Sequence, residues 1–382
     1  MRVGDVMTLF EYIDKYGDYS FEEKEINEVD NMIFSFLSYV NLQNIELSEK
    51  ETLESVSKKV FSIDRRGKKS IIAEKDALRL LKAIMNKKRY KDCLLFNYIY
   101  EVDDDSQFSV ITIEYLKNHI YISFEGTDEM ISSWYEDFLL SYQYPTKSHV
   151  KAVEYLKRYT LSKYSIILGG HSKGGNIALV AAMNTNPFVK SKITDIYSMD
   201  GPGLLPEILN SKKYKRIERK YHHIVPENSL VGMLLENTNE VVIKTTASGI
   251  LAHDILYWEI TNNYITRSRL SYFSRTLRKS LNKYIYSLTK DELEEVIKQL
   301  GDICKKVNIK SLVEIMDDNN KIILLMKEIA KVNGRTKKML TNIVEIFVKS
   351  YGKSLSLRLE NKFNKFKERI INEIKSETKK VH

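Results

Sequence analysis

Residues 164–176 read YSIILGGHSKGGN, and no other stretch limits the fold so strongly. A run of strand-forming residues enters Gly169 and Gly170; Gly174 and Gly175 follow Ser172, and NIALVAAM continues as a good helix former. The chain has 15 glycines in 382 residues, so four around one serine call for a backbone reason. Gly170–Gly174 fits G-x-S-x-G, the strand–turn–helix elbow that lifts a serine hydroxyl above an α/β sheet. Strand and helix nearly touch at such a bend, so Gly170 and Gly174 must carry almost no side chain, and the apex residue sits in strained backbone. The plainer alternative is a glycine-rich turn serving packing or phosphate binding, but G-x-x-x-x-G-K-[ST] is absent, which disfavours a P-loop.

The surrounding texture predicts an α/β fold. Residues 1 to about 100 place apolar residues at three- and four-residue intervals and read as helical. From Phe108 the pattern changes to two β-rich runs, Phe108–Tyr115 and His119–Phe124, joined by a Lys-Asn turn. Helical and strand segments then alternate: His149–Tyr159, Tyr164–Gly169, Gly175–Met183, ITDIYSMDGPG, a basic helix or loop at Ile208–Arg219, KYHHIVP and EVVIKTTA. Such alternation indicates a mainly parallel sheet. After about residue 261 only lysine-rich amphipathic helices remain. The expected organisation is an α/β-hydrolase domain over 1–260, with its N-terminal helices at 1–100, and a basic helical region over 261–382.

A serine is inert at neutral pH until a base takes its proton. The expected order after the nucleophile is an acid and then a histidine. Of the seven histidines only His222, His223, His253 and His382 follow Ser172. His222 and His223 lie inside a predicted strand, and His382 is the last residue. His253 sits in a loop just past the last predicted strand and is the candidate base, with capping of the next helix as the bland alternative. Two acids could orient it. Asp200 ends a strand and opens a Gly-Pro-Gly turn, so its carboxylate would emerge beside the serine strand; Glu227 follows the next strand. An oxyanion needs two N–H donors. One is expected from Lys173, the other from Thr127 in the loop after His119–Phe124. The Lys173 side chain reads either as a solvated residue at the helix start or as an attractor for an anionic substrate.

These residues resemble the class 3 lipase group of α/β-hydrolases. ISFEGTDEMISSWYEDF is similar to that group's F-R-G-T-x-S-x-x-D-W-x-x-D, and GGHSKGGN to its G-H-S-L-G-G. A closer resemblance is to a bacterial family of unknown function known as Mbeg-like, with lysine after the serine, D-G-P-G, I-P-E-x-S-x-V-G and a late His-Asp. These fall here on Lys173, Asp200–Gly203, Val225–Gly232 and His253-Asp254. The resemblance spans residues 5–260. It implies Ser172 as nucleophile, His253 as base, and Thr127 and Lys173 at the oxyanion hole. The fungal-type lipase acid would fall on His223, whereas the turn of pancreatic-type lipases resembles Asp200-Gly-Pro-Gly. Glu125 replaces the usual arginine, and Trp134–Tyr144 shows little of a long apolar lid.

Composition sets the remaining bounds. Cys93 and Cys304 are far apart, which suggests neither a disulfide framework nor a zinc site, and no metal or cofactor is expected. With no secretion-type leader and no long apolar span, the expected location is the cytoplasm. Asn262–His382 holds 27 Lys and Arg against 14 Asp and Glu, so it exceeds the chain's net charge of +9, and the remainder is acidic. The basic helices suit an acidic membrane surface or a protein partner, or simply a solvated face. Nucleic acid is disfavoured, since no zinc pattern, RNP-like segment or helix-turn-helix is evident. The expected activity is hydrolysis of a carboxylic ester, with a lipid ester among the candidate substrates. An acyltransferase or thioesterase using the same residues, or an inactive binding module, is the alternative.

Overall fold

A computed structural model describes residues 5–63, 72–103, 107–126, 139–140, 142–309, 319–332, 334–350 and 368. In chain order the elements are β1 (Val6–Met7), α1 (Leu9–Tyr16), α2 (Glu28–Leu37), β2 (Glu51–Thr52), α3 (Leu53–Ser62), α4 (Ile72–Ile84), β3 (Leu94–Val102), β4 (Gln107–Leu116) and β5 (His119–Phe124). Next come α5 (Lys147–Lys157), β6 (Ser165–His171), α6 (Lys173–Asn184), α7 (Pro187–Lys192), β7 (Ile193–Met199), β8 (Tyr221–Pro226), β9 (Glu240–Ile243), β10 (Ile260–Thr261) and β11 (Tyr264–Ile265). Among the described residues four helices follow: α8 (Tyr272–Tyr286), α9 (Lys290–Lys306), α10 (Asn319–Ile329) and α11 (Gly334–Ser350).

Eight strands form one sheet in the order β2-β3-β4-β5-β6-β7-β8-β9. The joins from β2 to β5 are antiparallel and those from β5 to β9 parallel. The sheet is mixed α/β in character, antiparallel at one end and parallel at the other, with the elbow leaving a central parallel strand. The β4–β5 hairpin turns at Lys117-Asn118, where Asn118 takes φ 63°, a conformation asparagine tolerates better than most residues.

Residues 94–102 correct an expectation: they are a strand, not the end of a helix. Leu95 packs into the core on one face of the sheet and Phe96 into the core on the other, the two-residue period of a strand. Nine successive residues rich in Leu, Phe, Tyr and Ile gain more from pairing with β4 than from continuing α4.

The same alternation on β5 explains the layers. Ile120, Ile122 and Phe124 face α5 and α6, while Tyr121 faces α2. The N-terminal helices therefore cover one face of the sheet. Hydrogen bonds fix α2 there: Ser123 Oγ donates to the Phe34 carbonyl at 2.8 Å, and the Tyr121 and Ser35 hydroxyls lie 2.6 Å apart. Asn27 caps α2, its Oδ1 accepting from the Val29 amide at 2.9 Å, and every residue from Val29 to Leu37 is buried.

The expected boundary after residue 260 falls inside a three-stranded sheet of β1, β10 and β11. The chain stays tied to the body through α8: Arg278 pairs with Glu240 at 2.6 Å, and Asn282 donates to the Leu235 carbonyl at 3.1 Å. Residues of α9, α10 and α11 share a separate apolar core that includes Val296, Leu325 and Leu340. Among the described residues no helix is long and apolar enough to cross a membrane.

Candidate active site

The chain turns sharply between β6 and α6 at Ser172, whose φ is 57° and ψ −135°. A non-glycine residue stays in that region only when its surroundings impose it. Here the Ser172 amide donates to the Met199 carbonyl at 2.9 Å, extending the β6–β7 pairing through the bend. A Cβ at Gly174 would lie 2.1 Å from the Phe124 carbonyl oxygen, and one at Gly170 2.4 Å from the Gly174 carbonyl carbon. Both glycines are therefore required by contact. The Ser172 hydroxyl makes no capping bond to α6, which opens directly behind it and aims its positive end at the bend.

Asp200 follows β7, also at positive φ (51°), and is fully buried. One carboxylate oxygen accepts from His253 Nδ1 at 2.6 Å. The other accepts from the Ser229 hydroxyl at 2.5 Å and the Gly232 amide at 3.2 Å. Burial pushes the Asp200 carboxyl up to about 7, opposed by those two donors and by His171. Burial likewise pushes His253 down to about 3, holding its imidazole neutral. His253 ends a short 3₁₀ turn, Gly249–His253. The capping role weighed for it belongs to Asp254, whose carboxylate accepts from the Leu256 amide at 2.9 Å.

Glu227 goes elsewhere. Its carboxylate accepts from Ser268 Oγ at 2.5 Å, and its carbonyl accepts from the Ser271 amide at the start of α8. The structure thus brings Asp200, not Glu227, to His253. His223, where the fungal-type acid would fall, is buried and bonded through Nε2 to the Gly201 carbonyl at 2.9 Å. His222 is half-buried on Asp195 at 2.9 Å and stacks on Tyr197.

Lys173 corrects the expectation of a solvated side chain: it is 1% exposed. Its ammonium donates to the Gln107 carbonyl at 3.3 Å, and Gln107 in turn donates through Nε2 to the buried Glu125 carboxylate at 3.4 Å. The two charged residues that depart from the lipase motifs therefore converge on one glutamine beneath the elbow. Thr127 and most of Trp134–Tyr144 lie outside the described residues; Gly126, just before Thr127, abuts the elbow.

Sequence reasoning gave no role to Ser229, Gly232, Asn176 or His149. Asn176, one turn into α6, donates to the Pro202 and Gly203 carbonyls at 3.2 and 2.7 Å, and so ties the turn after Asp200 to the elbow helix. His149 Nδ1 accepts from the Thr146 amide, so its Nε2 carries the proton and donates to Asn176 Oδ1 at 2.8 Å. The Asp200–Gly203 and Val225–Gly232 motifs marked these segments, but nothing local marked their mutual contact.

A pH prediction follows from His223, which burial pushes down to about 4. Its folded pKa lies below its unfolded value, so the unfolded chain binds the proton first and stability is lost as pH falls from about 6.5 toward 4. The shift is worth roughly 3 kcal/mol. Urea denaturation at pH 7 and 4.5 is expected to show a smaller acid loss for His223→Gln than for the wild type; equal losses would contradict it.

The Mbeg1-like family model matches residues 84–302, more than half of the chain. No curated protein matches it. Among solved structures, the chain is similar to the Rhizomucor miehei lipase–propeptide complex at 17% identity and TM-score 0.37, over 56% of this chain and 67% of that one. It is also similar to M37 lipase (14%, 0.31, over 53% and 67%) and to the extracellular lipase LipA of Serratia marcescens (15%, 0.33, over 70% and 50%).

Proposed function

The chain belongs to the Mbeg1-like family, and from that premise we propose that it is a serine hydrolase cleaving a carboxylic ester through an acyl-enzyme. The observation that carries this reading is the 2.6 Å bond between Asp200 and His253 beside a strained serine elbow. In the proposed reaction Ser172 Oγ attacks the acyl carbon and its proton passes to His253 Nε2. The Nδ1–H stays on Asp200, which fixes the tautomer and stabilises the imidazolium. The carbonyl oxygen becomes an oxyanion held by the Lys173 amide and by Thr127. The alcohol leaves with the proton from His253. Water, deprotonated by the same imidazole, then releases the acid and restores Ser172.

Two buried free cysteines, Cys93 and Cys304, suit the proposed cytoplasmic setting. The basic C-terminal helices are proposed to meet an acidic membrane or protein surface. A fluorophosphonate probe is expected to label the wild type and not Ser172→Ala. Labelling that survives in the alanine variant, or that is absent from both, would overturn the reading.

A further inference from the structure

Tyr39, two residues past α2, lies outside the stretch that the family model matches. It is buried, and its hydroxyl lies 3.0 Å from His171 Nδ1. His171 Nε2 lies 2.8 Å from the main-chain carbonyl of His253. A carbonyl only accepts, so Nε2 carries the proton. Burial, reinforced by the neighbouring His253, pushes His171 down to about 3 and keeps it neutral. Nδ1 is then a bare acceptor, and the Tyr39 O–H donates to it. The two imidazoles also pack together, their centroids 4.3 Å apart, with Phe36 edge-on to His171 at 5.2 Å.

From this chain of bonds, and resting on the proposed hydrolase reading, we infer that Tyr39 and His171 are positioning residues that hold His253 in place. Asp200 secures the His253 ring through Nδ1, and His171 secures its backbone. Because His171 immediately precedes Ser172, the same residue links nucleophile and base. The His253 carbonyl selects the tautomer, because with Nδ1 protonated instead a lone pair on Nε2 would face it and the loop would be repelled; the tyrosine hydroxyl then engages the lone pair left on Nδ1. It also keeps a positive charge away from the imidazolium that forms on His253 during catalysis, where a cation at that separation would oppose proton transfer. Space is reserved for this contact, since a Cβ on Gly126 would lie 2.2 Å from the Tyr39 oxygen and 2.4 Å from the His171 carbonyl. The N-terminal helices are thus part of the site, brought there by the bonds from Tyr121 and Ser123 to α2.

Four variants separate positioning from packing. Tyr39→Phe removes one hydroxyl. His171→Phe fills the space without bonding. His171→Gln places an acceptor and a donor about as far apart as the two ring nitrogens and cannot titrate. Ser172→Ala sets the background. Probe-labelling rates are expected to fall about 10–100-fold in Tyr39→Phe and His171→Phe, by analogy with the loss of groups that orient metal-ligating histidines, and to stay within about 3-fold of wild type in His171→Gln. The acid limb of the rate–pH profile is expected to move upward in Tyr39→Phe, because a loosened His253 regains water and its pKa rises. A wild-type rate in both phenylalanine variants, or a glutamine variant worse than the phenylalanine one, would overturn the inference. Hydrogen–deuterium exchange over residues 249–257 gives a readout that needs no activity. Faster exchange in Tyr39→Phe supports the clamp even if the wild type takes no label, and unchanged exchange counts against it.

Discussion

Replacing Asp200 with Asn is expected to slow acyl-enzyme formation by about 10⁴-fold, the loss seen when the orienting carboxylate of a serine triad becomes an amide. The carboxylate is fully buried and faces three donors: His253 Nδ1–H, the Ser229 hydroxyl and the Gly232 amide. Asparagine can still accept from Ser229 and Gly232 through its oxygen. Its NH₂ then faces His253 Nδ1, which drives the ring to the wrong tautomer and leaves Nε2 protonated, unable to take the serine's proton. Glu227→Gln is the matched control, because that side chain is engaged by Ser268, and it is expected to change the rate less than about 3-fold. Probe-labelling rates for the two variants measure this directly. A slow Glu227→Gln beside a fast Asp200→Asn would reverse the assignment of the acid.

The second large effect concerns stability. Arg89 and Asp30 form an ion pair with side chains 1% and 0% exposed, joined by bonds of 2.8 and 2.5 Å. The same guanidinium donates to the carbonyls of Tyr19, Ser20, Lys24 and Glu25, and so pins the loop that leads into α2. Arg89→Met would strand a buried carboxylate, leaving it the Tyr90 hydroxyl and the Asn27 amide as donors among the described residues. Breaking one side of such a pair costs about 3–5 kcal/mol. Urea denaturation is expected to show that loss, and Asp30→Asn combined with Arg89→Met to be milder than the two single losses added together. A change under about 1 kcal/mol would mean that the ion pair does little to dock the N-terminal helices. Because α2 delivers Tyr39, Arg89→Met is also expected to slow labelling.

What the sequence made legible was local. The elbow could be read because every requirement of the bend lies within seven residues, and the β4–β5 hairpin because its two runs flank one short turn. Asp200 and His253 were candidates because each follows a strand. Only the folded sheet decides between Asp200 and Glu227, since that depends on where the ends of β7 and β8 point relative to a loop further along the chain. β3 was missed because its apolar run also satisfies helical spacing; the competing preference for a strand is realised only through its pairing with β4. The burial of Lys173 was equally hidden. Lysine at a helix start is solvated unless something covers it, and here the partner carbonyl, Gln107, comes from a distant strand. Tyr39 could not be found by pattern at all, because a lone tyrosine after a buried helix carries no local mark of a histidine 132 residues away.

The central claim is that Ser172 carries the acyl group. Mass spectrometry of the protein quenched during turnover of a p-nitrophenyl ester locates that group without inference. An adduct of the acyl mass is expected on the peptide containing Ser172, accumulating in the wild type and lost in Ser172→Ala. Ester cleavage with the acyl group on another residue would contradict it.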